Sequence, residues 1–230
     1  MKDNGTNQLL ISSYIWLRRL MGALGFLLPV VLFFWGLALS GSILDSISDY
    51  YSLRTRDAFV GILFGIACIL AAYKGYDRID DITGKVAGLF ALGVAFIPNT
   101  AGGWQTTVHL LFAAGLFLAL SFFSLFCFTK TKESPPNDLR HTVTSFRFGR
   151  IKSNEEGMRR KKIRNKVYVT CGLIMLACLA LIGLYYKFWE NTAISVIKPV
   201  LWLEWVMIWA FGFSWAVKGE TLWQEPKKTR

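Results

Sequence analysis

Six apolar stretches run through this chain, and the basic residues between them sort onto alternate sides. The stretches are 20–40, 58–73, 86–97, 106–128, 167–186 and 196–217. Crossing the hydrocarbon core takes about 20 helical residues. The fourth stretch is the clearest, since no charge occurs from Leu110 to Phe128. The third is the shortest and is closed by Pro98 and Asn99. With all six as spans, one side holds three Lys or Arg in 1–19, three in the turn after span two, twelve in 129–166 and four in the C-terminal tail. The other side holds only Arg54, Arg56, Lys187 and Lys198. The excess of Lys and Arg on cytoplasmic loops then places both termini in the cytoplasm. The expected fold is all-α, a polytopic membrane protein with a six-transmembrane-helix bundle.

The formal charge of +11 suggests nucleic acid until its distribution is considered. Loop 129–166 carries twelve basic and four acidic residues, so one loop accounts for most of the excess. Orientation and attraction to anionic headgroups are the natural uses of such a loop, and no nucleic-acid partner is expected. Its basic run Arg159-Arg160-Lys161-Lys162-Ile163-Arg164 precedes span five directly. Each such residue near an anionic surface is worth about 1 kcal/mol. The rest of the loop, with Ser134-Pro-Pro-Asn and Ser153-Asn-Glu-Glu-Gly, reads as a basic flexible linker. Residues 1–19 read as a cytoplasmic segment. Its 9–17 stretch is amphipathic, either lying along the inner interface or extending span one. Residues 218–230 read as a cytoplasmic tail.

No cleavable signal is expected, because the first span is long and lacks a small-residue cleavage site. Cys68, Cys127, Cys171 and Cys178 all fall within spans and read as reduced packing residues. No C-x-x-C occurs. Only two histidines occur, and His141 lies across the membrane from His109; His109, Asp57 and Glu204 could supply three ligands, but nothing in their spacing demands a metal, and no cofactor is expected.

Lipid gives helices no hydrophobic reason to pair, so small residues must allow close contact. Gly61-Ile-Leu-Phe-Gly65 and Gly84-Lys-Val-Ala-Gly88 have that spacing and predict a tight hairpin of spans two and three. The turn between them, Lys74-Gly-Tyr-Asp-Arg-Ile-Asp-Asp, mixes both signs and reads as locally paired. Pro29 is expected to bend span one.

An ionisable group inside a span costs about 2.5–3.5 kcal/mol on insertion scales and needs a partner or a purpose. Glu204 is the one acid of span six, several residues from its outer end. His109 lies just inside span four from the same side, and Asp57 opens span two beside Arg56. In the plainer reading, Glu204 pairs with His109 or Arg56 and fixes helix register. In the functional one, His109, Asp57 and Glu204 are candidate catalytic groups, with His109 as a base oriented by a carboxylate. Ser48, Asp49, Tyr51, Arg56 and Trp205 would then line an outer-leaflet pocket for lipid, with Arg159, Arg160, Lys161, Lys162 and Arg164 on anionic headgroups at the inner face.

Three segments resemble the damage-regulated autophagy modulator (DRAM) family, within the wider group of proteins that remodel the lipid of GPI anchors. Ser46-Ile-Ser-Asp-Tyr-Tyr is similar to that family's outer loop. Val108-His109 is similar to the start of its fourth helix, and Leu203-Glu-Trp-Val-Met-Ile-Trp-Ala-Phe-Gly-Phe213 to its last. The likeness covers roughly 20–128 and 167–222. It implies six spans and draws attention to Asp49, His109 and Glu204. The chain departs from it in having Asp-Tyr-Tyr where that family continues Asp-Thr-Gly, and in its long basic loop. It also resembles bacterial membrane proteins of similar length, which implies a bacterial inner membrane. The zinc-dependent ceramidase group is set aside, since no His-x-x-x-His occurs.

The expectation is an integral membrane protein that binds lipid or a membrane partner through the outer pocket. A membrane-embedded lipid-modifying hydrolase or acyltransferase is the alternative, and a small transporter or channel the third. Membrane lipids are the expected partners, and self-association as a homo-oligomer stays open.

Overall fold

The computed structural model describes residues 3–99, 103–130 and 155–220, which form helices and short connections with no strand among them. Helix α1 spans Asp3–Ser40, α2 Arg56–Ala72, α3 Arg78–Phe96, α4 Trp104–Phe122, α5 Glu155–Phe188 and α6 Pro199–Lys218. A π-helical turn, Phe123–Cys127, prolongs α4, and 3-10 turns occupy Ser48–Ser52 and Ala193–Ile197. Four segments are long and apolar enough to cross a membrane: Ser12–Ser40, Trp104–Cys127, Arg159–Phe188 and Pro199–Lys218. The chain is therefore an all-helical protein of membrane type. Helices α2 and α3 are shorter, at 17 and 19 residues, and α3 carries its charges in its first turns.

Each helix boundary has a local cause. Helix α1 ends at Gly41, whose positive φ of 67° suits a residue without Cβ and whose amide reaches the Leu37 carbonyl at 2.9 Å. Asp77 caps α3 by accepting the Asp80 amide at 3.1 Å, and acidic residues fill the first turn where the helix dipole favours them. Pro199 opens α6, where its missing N–H costs no helical bond.

The six helices close into a ring. Each packs on its chain neighbour, α4 meets α5, and α6 returns to α1. Two seams bring backbone close to backbone only because a side chain is missing. A Cβ on Gly84 would stand 2.6 Å from the Leu70 carbonyl, and one on Gly88 2.9 Å from that of Ala67. The α2–α3 hairpin is thus as close as its glycines allow. Gly61 and Gly65 have no part in it, because Gly61 faces open space and Gly65 has only Leu24 near by. The α2 side of the seam is made by Ala67, Leu70 and Ala71 instead. The second seam, α1 on α6, escaped the sequence reading. A Cβ on Gly25 would meet Gly212 Cα at 2.9 Å, and one on Gly22 would meet the Ala216 backbone at 3.0 Å. Pro29 lies inside α1 and removes the amide that would bond the Gly25 carbonyl at this seam.

Large apolar side chains remain exposed around the outside of the ring, among them Phe34, Leu89, Leu111, Leu173 and Trp202. A water-soluble monomer rarely exposes so broad an apolar surface, whereas hydrocarbon leaves it no cost. The two long helices extend beyond any bilayer core. At 1.5 Å per residue, α1 with 38 residues and α5 with 34 measure about 57 and 51 Å, against about 30 Å of hydrocarbon. Stretch 9–17 is therefore a continuation of the first helix, and the basic run from Arg159 to Arg164 lies in the first turns of α5, as do Glu155, Glu156 and Gly157 of the stretch read as flexible. Ser134-Pro-Pro-Asn and His141 lie outside the described residues.

Candidate functional site

At one end of the ring, segment 41–55 folds across the helix ends and is held there by side chains from α4 and α6. His109, fully buried on α4, places Nδ1 2.6 Å from the Ile97 carbonyl and Nε2 3.0 Å from Ser48 Oγ. A carbonyl only accepts, so Nδ1 carries hydrogen and donates. With a neutral ring, Nε2 then accepts from the Ser48 hydroxyl. Glu204 on α6 accepts the Ile47 amide at 2.6 Å, and the next amide, Ser48, also reaches its carboxylate. Asp45 adds two ties to the start of α6, its carbonyl taking the Leu201 amide at 3.0 Å and its carboxylate pairing with Lys198.

The sequence candidates come together only in part. Ser48, His109 and Glu204 meet around Ile47 and Ser48. Glu204 does not pair with His109 or Arg56, and His109 is oriented by a backbone carbonyl rather than by Asp57 or Glu204. Asp57 is exposed at the start of α2 and is not among the groups bonded to His109 or Glu204. Asp49 accepts from Asn99 at 2.8 Å, and burial raises its carboxyl above the ordinary range against the hydrogen bonds from Ser46 and Asn99. Tyr51 packs edge-on to Phe59, with the Arg56 guanidinium 4.7 Å above its ring. Trp205 belongs to the outer surface of the α1–α6 seam, stacked with Trp202 and edge-on to Phe33 and Trp209. The expected outer pocket is thus occupied by the loop's own groups.

What remains beneath the loop is a cavity of about 50 Å³, walled by Leu63, Leu116, Ile208 and Phe211 with Ser48 and Glu204 as its polar lining. Glu204 keeps some accessible surface, and that surface borders this space. The volume is enough for water beside two polar groups, but not for a lipid. Among the described residues no three His, Cys, Asp or Glu side chains gather as a metal would require. Cys127, Cys171 and Cys178 are buried free thiols, while Cys68 is exposed on the outside of α2.

The opposite end is built from charge and aromatic rings. Lys130, just past the π-helical turn of α4, donates to Asp77 at 2.8 and 2.9 Å and to Asp80 at 2.5 Å. Burial acts to lower the Lys130 ammonium and to raise the Asp77 carboxyl. Their mutual hydrogen bonds outweigh it, so Lys130 is raised and Asp77 lowered. Within the turn, Lys74 pairs with Asp81 at 2.8 Å, and the Gly75 and Tyr76 amides donate to Asp81 and Asp80 at 3.0 and 2.9 Å. Beside this clamp, the Lys218 ammonium lies 5.1–5.9 Å from the ring centres of Tyr76, Phe128 and Tyr168, and Arg18 lies 5.7 Å from that of Tyr73. These are cation–π distances. Lys130 went unremarked in the sequence, although a lysine closing an apolar span opposite a turn with three aspartates was its signal.

A second concavity opens on the outside of the ring between α5 and α6, with Phe26 of α1 at its edge. Its volume is about 520 Å³, and its walls include Val167, Thr170, Ile174, Val206, Trp209 and Phe213. Ile163 and Lys166 stand at its end toward the basic first turns of α5. Of the basic residues expected on headgroups, Arg159 and Lys162 are exposed there and Arg160, Lys161 and Arg164 half-buried. Comparison with protein-family models, curated proteins and solved structures returned no match.

Proposed function

We propose that this chain is an integral membrane protein of six spans, both termini cytoplasmic, that binds membrane lipid along the α5–α6 groove. The single observation that carries this reading is the groove itself. It is about 520 Å³, open to the outside of the ring, apolar along its length and basic at one end. Ligand sites of this size are mostly apolar with a few placed polar groups. The outer pocket beside His109 is the weaker candidate, since the space left there is about a tenth as large.

The six-span topology is supported by the sorting of basic residues and by the ring. At 1.5 Å per residue, α2 and α3 rise about 26 and 28 Å, close to one hydrocarbon thickness. Excess Lys and Arg at the Lys130 end favours the cytoplasm for that end. A bacterial inner membrane and the DRAM-like layout belong to the same reading.

Photo-crosslinking tests it. A phospholipid with a diazirine on its acyl chain is reconstituted with the full-length protein and the adducts are mapped. Adducts at Thr170 and Val206 are expected. Adducts confined to other outward positions, such as Leu89 and Leu111, would contradict the site.

The Ser48–His109 hydrogen bond favours one second reading, an acyl-transfer enzyme with Ser48 as nucleophile and His109 as base. A fluorophosphonate adduct on Ser48 of the folded protein would support it. Absence of that adduct under conditions that label a control serine hydrolase would remove it.

A further inference from the structure

The groove has a charged end, set by the register of basic residues along α5. We infer that its occupant is an anionic phospholipid of the cytoplasmic leaflet, with one acyl chain along Val167, Thr170 and Ile174 and its phosphate near Lys166 and Arg159. This rests on the lipid-binding reading above and adds the headgroup class. Residues three, four and seven apart share a helix face. Lys166 lines the groove, and Arg159 stands seven residues before it and four before Ile163, so it continues the same strip past the apolar walls. Both side chains are exposed. On α1, Arg19 precedes Phe26 by seven residues and is fixed at the same end by its Nε bond to the Gly219 carbonyl at 3.0 Å. Lys166 lines the groove, and Arg159 and Arg19 stand beyond its end by helix register, so three cations on two helices lie toward the place a headgroup would take. An anion there is drawn by the charge, while a zwitterionic headgroup brings a cation of its own to the same place.

Native mass spectrometry of the full-length protein in neutral detergent, with phosphatidylglycerol or phosphatidylcholine added, separates this inference from the reading beneath it. The wild type is expected to retain phosphatidylglycerol preferentially. Each cation near an anionic group is worth about fivefold in binding, so the Arg159→Gln/Lys166→Gln double variant should lose about 25-fold for phosphatidylglycerol and little for phosphatidylcholine. Lys85→Gln removes the same charge from an exposed position on α3, which does not line the groove, and should keep the preference. Thr170→Trp fills the groove and should reduce both lipids. A melting curve for each variant confirms that it is folded. Equal retention of the two lipids by the wild type, with both lost in Thr170→Trp, would overturn the anionic inference and leave the groove standing. An equal loss in Lys85→Gln would overturn it too, by showing that diffuse charge suffices. Retention of both lipids by folded Thr170→Trp would remove the groove itself and the inference with it.

Discussion

The two ends of this bundle solve the same problem with different chemistry. Each must tie non-helical backbone across a ring of helices. At the end holding His109, the ties run mainly from side chain to backbone. Glu204 takes the Ile47 amide, His109 meets the Ile97 carbonyl, and Thr55 Oγ1 donates to the Tyr50 carbonyl at 2.6 Å. At the other end they run from cation to carboxylate and ring, through Lys130, Lys218 and Arg18. Amides and carbonyls of a loop must be satisfied wherever water is excluded. Charges can be concentrated where headgroups and water lie close. The contrast sets what should break each end.

The largest effect is expected from Lys130→Ala. It leaves the fully buried Asp80 carboxylate and its neighbour Asp77 without their cation, and breaking such a buried pair costs about 3–5 kcal/mol. Thermal unfolding in detergent reads the loss. Glu204→Ala should cost less, about 1–3 kcal/mol, because it strands amides rather than an ion. Its further signature is faster hydrogen exchange at Ile47 and Ser48, with the Lys130 end unchanged. If Glu204→Ala loosened both ends alike, the two would not be separate fastenings. Ser48→Ala removes one neutral hydrogen bond and should cost about 1 kcal/mol. Its effect should shrink in a His109→Ala background, which a double-mutant cycle measures.

The smallest effect is one of pH. Asp77 is held below its ordinary value, so its contribution is present above about pH 4 and fades as pH falls through its lowered value. Lys130 is raised, so its contribution is present below about pH 10 and fades as pH rises through its raised value. The clamp should therefore be intact across neutral pH and loosen in acid. Proteolysis at the α2–α3 turn, followed from pH 7 to pH 3, would show it as increased cleavage there.

The sequence made the helices legible because apolar length and glycine spacing are written in single residues. Gly84 and Gly88 were read correctly, whereas Gly61 and Gly65 have the same spacing and pack against nothing in α3. Spacing alone does not say which face of a helix meets its neighbour. Gly88→Ala should accordingly destabilise the hairpin, while Gly61→Ala, in open space, should be neutral or gain up to about 1 kcal/mol of helix propensity. The site was legible as an inventory and not as a pairing. Ser48, His109 and Glu204 were marked, but the partners assigned to His109 and Glu204 were other side chains. Their actual ties include the Ile47 amide and the Ile97 carbonyl, and every residue has such groups, so no letter of the sequence marks them. The groove was illegible for a different reason. Its α6 wall, Val206, Trp209 and Phe213, lies inside the Leu203–Phe213 segment, but its other walls come from α5 and from Phe26 of α1, far away in the sequence.

The opposition of the two ends is tested most directly by cysteine labelling in intact cells with a membrane-impermeant maleimide, in a background whose four native cysteines are replaced by serine. Arg54→Cys precedes α2 at the His109 end, and Arg78→Cys begins α3 at the Lys130 end. Both positions are exposed. Arg54→Cys should react from outside, and Arg78→Cys only after the membrane is permeabilised. Equal labelling of both in intact cells would mean that α2 does not cross, and the two ends would not face opposite sides of a membrane.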